Sequence, residues 1–162
     1  VLSELSPEVR TRLIDDLWAL TGGVLLVVEP GTPKGWERIL SARERLIAQG
    51  AHLLAPCPHH LPCPIKDPDW CHFSRRVARS RLHRLSKQAE VPWEDEKFIY
   101  LAASRHAGLP AEARILAPPR TSKGRIDLKL CLADGALQER TVSKRDGALF
   151  KTARRRDWGE IL

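Results

Sequence analysis

Apolar residues recur near the start of the chain at Val9, Leu13, Leu17 and Leu20, spacings of 4, 4 and 3 that put them on one face of a helix. Ser6 suits the N-cap of that helix and Pro7 its first position. Thr21-Gly22-Gly23 stops it, since glycine readily takes the left-handed conformation at a C-terminal cap. Residues 24–28 form an unbroken valine and leucine run, which predicts a strand buried on both faces. Two prolines and two glycines then make residues 29–35 a loop. A second helix is predicted over residues 36–49, with Ile39, Arg43, Leu46 and Ile47 along one side and Gly50 ending it. Helix, buried strand, helix is part of an α/β layer, and it predicts a mostly parallel sheet with helices on its faces.

The pattern then changes. Residues 51–74 are rich in proline, cysteine and histidine and lack periodicity, which predicts an ordered loop held by something other than a hydrophobic core. Residues 75–89 are basic and read as helical, 91–96 as a turn and 97–103 as a strand. After a connection containing Gly108, Pro110, Pro118 and Pro119, residues 125–132 and 137–143 flank Asp134-Gly135 as a β-hairpin. The chain divides into a helix-strand-helix portion (1–50), a cysteine-rich loop with a basic helix (51–90), and closing strands with a basic C-terminus (91–162). Together they are expected to form one incomplete domain, without internal repeats.

Composition narrows the function classes. The length of 162 residues suits one domain, and 43% hydrophobic with 29% charged residues excludes a wholly disordered chain. No apolar run approaches the roughly 20 residues of a membrane helix. Glu4, Glu8, Arg10, Arg12, Asp15 and Asp16 interrupt any signal peptide, so a soluble, unexported chain is expected. The absence of methionine predicts a piece of a longer protein. The net charge of +7 is uneven: residues 1–70 hold 7 basic and 9 acidic side chains, the remainder 20 and 11. A basic half points to a polyanion, of which nucleic acid is the commonest; the alternative is a solvated basic surface.

Four cysteines, Cys57, Cys63, Cys71 and Cys131, are separated by steps of 6, 8 and 60. In a chain without an export signal this concentration suits metal ligands better than disulfides. Structural zinc usually takes close cysteine pairs, which are missing here. Wider steps, with prolines after Cys57 and Cys63, fit an iron–sulfur cubane, and four thiolates close such a site. Zinc with mixed ligands stays open, because His52, His59, His60 and His72 surround the cysteines; inert buried thiols are a third reading. With a four-cysteine cluster, the histidines would surround the ligands or face RNA.

Arg75, Arg76, Arg79, Arg81, Arg84 and Lys87 fall within 13 residues that contain no acid, beside apolar Val77, Leu82 and Leu85. Arginine pairs bidentately with phosphate and stacks on bases, which suits structured RNA. Lys151, Arg154, Arg155 and Arg156 form a second group near Trp158. Two clusters flanking a metal-held loop point to RNA contact more strongly than either alone.

Several strings carry a resemblance. Residues 26–35 read LVVEPGTPKG, 55–59 APCPH, 63–64 CP, 70–73 WCHF, 95–98 DEKF with Tyr100 beyond, 151–154 KTAR and 158–159 WG. In this combination the chain resembles the methyltransferase-like proteins associated with the small subunit of the mitochondrial ribosome, and their bacterial relatives. The resemblance implies the C-terminal part of a class I, S-adenosylmethionine-dependent methyltransferase (Rossmann-like) fold, with an inserted cysteine-rich metal-binding region and a C-terminal β-hairpin. It also implies a role in small-subunit assembly or translation, small-subunit rRNA as partner, and a [4Fe–4S] cluster on Cys57, Cys63, Cys71 and Cys131. Location would be the cytoplasm for a bacterial relative and the mitochondrial matrix for a eukaryote.

The chain departs from a methyltransferase in one respect. It has neither a glycine-rich loop after a first strand nor an acid after a second for ribose hydroxyls. By analogy residues 24–28 are a fifth strand, so an exposed hydrophobic edge is expected. S-adenosylmethionine is expected only in a complete parent, with Glu29, Pro30, Gly31 and Thr32 forming one wall of its pocket at most. No catalytic constellation emerges. Methyl transfer to rRNA by the full-length parent, and a zinc-stabilised RNA-binding module, remain the alternatives to a cluster-carrying ribosome-assembly protein.

Overall fold

The Ser6 hydroxyl accepts a hydrogen bond from the Val9 amide and Pro7 fills the first turn, so helix α1 runs over Pro7–Leu20, as its capping residues predict. The computed structural model describes residues 2–86 and 90–162. Helix α1 docks through a different stripe from the predicted one. Ile14 and Trp18 are buried, while Val9, Leu17 and Leu20 are exposed, Leu20 to 84%. The helix carries two apolar stripes, and polar contacts select between them. The Asp15 carboxylate accepts from both Nε and Nη2 of Arg45, at 2.6 and 2.7 Å, and from Gln49. The Arg105 guanidinium lies 3.9 Å over the Trp18 ring and donates to the Trp18 carbonyl.

Strand β1 (Val24–Pro30) leads into helix α2 (Pro33–Ala48). The helix begins earlier than predicted because Thr32 is its N-cap, accepting from the Gly35 amide at 3.1 Å, with Pro33 at the first position. Ile39, Ala42, Arg43 and Leu46 form its buried side. Gly35 permits the tight turn into the helix: a Cβ there would lie 2.0 Å from the Pro30 carbonyl oxygen. Gly35→Ala is therefore expected to destabilise the chain by about 3 kcal/mol, the upper end of ordinary overpacking. Gly22→Ala, with open space around it, should fall within about 0.5 kcal/mol of the parent. Denaturant midpoints of the two variants check the pair.

Strands β2 (His52–Ala55) and β3 (Phe73–Ala78), helix α3 (Arg81–Ser86) and the long strand β4 (Trp93–Ser104) follow. Strand β4 organises the first sheet, pairing with β1 along residues 98–104, β2 along 102–104 and β3 along 93–98. All three pairings are antiparallel, which corrects the expected mostly parallel sheet. The unit β1–α2–β2 has two strands running the same way, as a helical crossover requires, but β4 lies between them and takes both as antiparallel neighbours. Burial of β1 is also one-sided: Leu25, Val27 and Glu29 turn inward, whereas Val24, Leu26 and Val28 are each more than half exposed. The run of valine and leucine thus overstated its burial.

The predicted helix over 75–89 is corrected to a strand followed by a short helix. Residues 73–78 lie along β4 with Arg75, Arg76 and Val77 opposite Glu96, Asp95 and Glu94. These cross-strand pairs favour an extended chain there. Lys87 lies outside the described residues.

The second sheet contains β5 (Ala113–Ile115), β6 (Arg120–Ser122), β7 (Arg125–Leu132) and β8 (Leu137–Ser143), all antiparallel, before helix α4 (Ala148–Ala153). The β7–β8 hairpin has the predicted ends. Asp134 accepts from the Ala136 amide at 2.9 Å, and Gly135 adopts φ +83, a conformation that favours glycine. The mixed α/β chain has two apolar cores. Trp18, Ile39, Leu46, Ile99 and Leu101 build one between the first two helices and the first sheet. Ile115, Ile126, Leu130, Val142 and Ala153 build the other, under α4. Among the described residues no helix is long and apolar enough to cross a membrane.

Candidate metal centre

The loop from Pro56 to His72, between β2 and β3, carries Cys57, Cys63 and Cys71, while Cys131 projects from β7. All four border one apolar cavity, which Trp36, Ile39, Ile65, Ile99 and Leu101 also line. Burial pushes the Cys63 thiol up in pKa and the Cys71 thiol well up; it takes Cys131 to about 12. The neighbouring cysteines add to each shift, because a second thiolate in the same cavity repels the first. Such a set of soft donors is matched to a bound cation. Among the described residues no three histidine, cysteine or acidic side chains converge as a site for a single ion.

Side chains from outside the loop hold it in place. Arg43 of α2 is buried and donates from Nη2 to the carbonyls of His59 at 3.0 Å and Leu61 at 2.6 Å. Arg114 of β5, also buried, donates to the carbonyls of Pro56 at 2.8 Å and Gly159 at 2.9 Å. Trp70 donates from its indole to the Gly31 carbonyl at 3.0 Å, and Lys129 pairs with Asp69. These interactions join the cysteine loop to both sheets. Sequence reasoning missed both arginines as loop anchors. Arg43 had a signal, a charge on the apolar side of a helix; Arg114 had none.

The four nearby histidines separate in role. The Nδ1 of His59 lies 3.1 Å from the Leu61 carbonyl, an acceptor only, so Nδ1 carries the proton; Nε2 then faces the Cys131 sulfur at 3.3 Å. Burial, with the Arg43 charge second, holds the His59 pKa below the ordinary value. His60 accepts from the Leu53 amide at 3.0 Å and sets its ring edge-on to His52. His72 stacks on Trp70 and meets Trp158 edge-on.

The residues read as a wall for S-adenosylmethionine are engaged within the chain. Glu29 is buried and accepts from Arg38 at 2.6 Å. The Gly31 amide donates to the Lys97 carbonyl, its own carbonyl accepts from Trp70, Thr32 caps α2, and Pro30 closes β1.

The two basic groups differ in their surroundings. Arg76 makes a two-pronged pair with Asp95 at 2.9 Å and lies over the Trp93 ring. Arg79 pairs with Glu94 at 3.0 Å. Arg75 and Arg81 are exposed and Arg84 is half-buried. Lys151, Arg154, Arg155 and Arg156 are all exposed, and none forms an ion pair among the described residues.

Sequence comparison relates the chain to known proteins along most or all of its length. The sequence is 32% identical to the human protein named "Ribosome assembly protein METTL17, mitochondrial", an alignment that covers 99% of this chain and 37% of that protein. It is 26% identical to the Schizosaccharomyces pombe proteins "Rsm22-cox11 tandem protein 1, mitochondrial" and "Rsm22-cox11 tandem protein 2, mitochondrial", covering 90% of this chain and 26% of each. The chain thus spans between a quarter and two fifths of these relatives. With residues 1–162 matching the family described as "Mitochondrial small ribosomal subunit Rsm22", the chain belongs to the Rsm22 family of methyltransferase-like, ribosome-associated proteins.

Proposed function

We propose that this chain is the cluster-carrying, rRNA-binding part of a protein that acts in assembly of the small ribosomal subunit. The observation that carries the reading is the convergence of Cys57, Cys63, Cys71 and Cys131 on one apolar cavity, although Cys131 stands 60 positions beyond Cys71. Four thiols arranged around one apolar cavity suit a [4Fe–4S] cluster, whose irons are spread in space and take one thiolate each. When bound, the cluster supplies iron–thiolate bonds that cross-link the loop to β7. Cys57, Cys63 and Cys71 fix the loop, Cys131 ties it to the second sheet, and the apolar wall keeps water from the sulfurs.

The partner is small-subunit rRNA, reached through the exposed basic side chains of α4 and the residues after it, with Arg75, Arg81 and Arg84 adding to the surface. The curated human relative is a ribosome assembly protein by name, which supports this role. The Rossmann-like reading rests on the β1–α2–β2 crossover, and methyl transfer from S-adenosylmethionine by a complete parent is the alternative function. Mitochondrial relatives favour the matrix for a eukaryotic source, and the cytoplasm applies to a bacterial one.

One contact favours a second reading. His59 Nε2 faces the Cys131 sulfur at 3.3 Å, and an imidazole nitrogen beside a cysteine sulfur is the donor pair of mixed zinc sites. Metal analysis separates the two. Purified without air, the protein is expected to be brown, with iron and acid-labile sulfide in near-equal amounts. A colourless protein holding zinc and no iron overturns the cluster in favour of a zinc-held RNA-binding module.

A further inference from the structure

We propose that Arg43 is the countercharge of the cysteine centre and sets how readily a cluster there accepts an electron. This rests on the reading of the four cysteines as cluster ligands.

Arg43 sits on the buried side of α2, 3% exposed, and lines the same cavity as the four thiols. Its partners are unusual for a buried guanidinium: two backbone carbonyls, His59 and Leu61, both in the loop between Cys57 and Cys63. Neither carries charge, and no carboxylate forms an ion pair with Arg43 among the described residues. Its Nε–H is buried and has no hydrogen-bond partner among the described residues. A buried cation without an anion is costly, and so is a buried donor left unpaired. Both costs disappear if an anion occupies the cavity that the side chain borders.

A cluster held by four thiolates is an anion when oxidised, and reduction adds one more electron from an external one-electron donor. A cation fixed at its edge favours the more negative form, so it raises the midpoint potential. The hydrogen bonds to the loop carbonyls orient the guanidinium, so the α2 charge and the loop move as one unit.

The test uses the full chain, loaded anaerobically and titrated with dithionite in the presence of redox mediators. Arg43→Lys keeps the cation; Arg43→Gln keeps amide donors for the carbonyls but removes the charge. Arg43→Lys is expected to load and to match the parent's potential. Arg43→Gln should be at least tenfold harder to reduce, a fall of about 59 mV for a one-electron step. Failure of Arg43→Gln to load, with Arg43→Lys loaded at the parent's potential, also supports the countercharge. An unchanged potential in Arg43→Gln overturns it, as does a fall of equal size in both variants. If neither variant loads, Arg43 only fixes the loop and the proposal fails. A parent chain without iron and sulfide defeats the reading of the cysteines instead, which keeps the two failures apart.

Discussion

Cys131→Ser is expected to abolish cluster binding and to open residues 56–72 to protease, although the substituted residue lies in a different sheet from the loop it protects. Ile65 is the loop's principal buried apolar side chain, so little core holds the segment when metal is absent. Hydrogen bonds from Arg43, Arg114 and Trp70 position it. Hydrogen bonds of this kind contribute about 1 kcal/mol each, and metal ligation contributes more. With free metal at a hundred times its dissociation constant, the loaded loop should be about a hundredfold less open. The parent, loaded and unloaded, and Cys131→Ser are compared by timed proteolysis alongside iron and sulfide content. Loaded parent should resist cleavage, while unloaded parent and variant should be cut at similar rates. A variant that keeps its iron and resists like the loaded parent excludes Cys131 from the ligand set.

Local chemistry was the legible part of this sequence. Ser6 and Pro7 place the start of α1, and Asp134-Gly135 places the hairpin turn, because a cap or turn depends on a few adjacent residues. Tertiary choices were not legible. Two apolar stripes on α1 were both chemically adequate, and the Asp15–Arg45 pair, 30 residues apart, favoured Ile14 and Trp18. The parallel-sheet expectation failed because β4, far along the chain, pairs with both β1 and β2. At the candidate centre the cysteines could be picked out by type and spacing, and they do border one cavity. The separation of the histidines could not, since a backbone amide partner for His60 has no sequence signature. The strand in the basic segment was hidden for the same reason: its partners Glu94 and Asp95 are distant in sequence and opposite in space.

That pairing decides which basic group should matter more to RNA. Replacing Lys151, Arg154, Arg155 and Arg156 with alanine is expected to weaken binding to a small-subunit rRNA fragment far more than replacing Arg75, Arg76 and Arg79. In the strand group, Asp95 already holds the Arg76 guanidinium and Glu94 that of Arg79, so part of any gain at phosphate is offset by breaking ion pairs. The C-terminal group is exposed and forms no ion pair among the described residues, so each cation is available to displace counterions from RNA. The salt dependence falls by about 0.7 to 0.9 in slope for each phosphate that the protein no longer neutralises. The quadruple variant should therefore drop by about 3 in slope and the triple variant by about 1, read from anisotropy titrations over a salt series. Folding should survive the quadruple change, because α4 is anchored through Leu149, Phe150 and buried Ala153, which are left in place. An unchanged slope in the quadruple variant, with a steep drop in the triple one, would reverse the assignment. RNA would then have to compete with Asp95 for Arg76 and with Glu94 for Arg79, and neutralising those two acids should tighten binding.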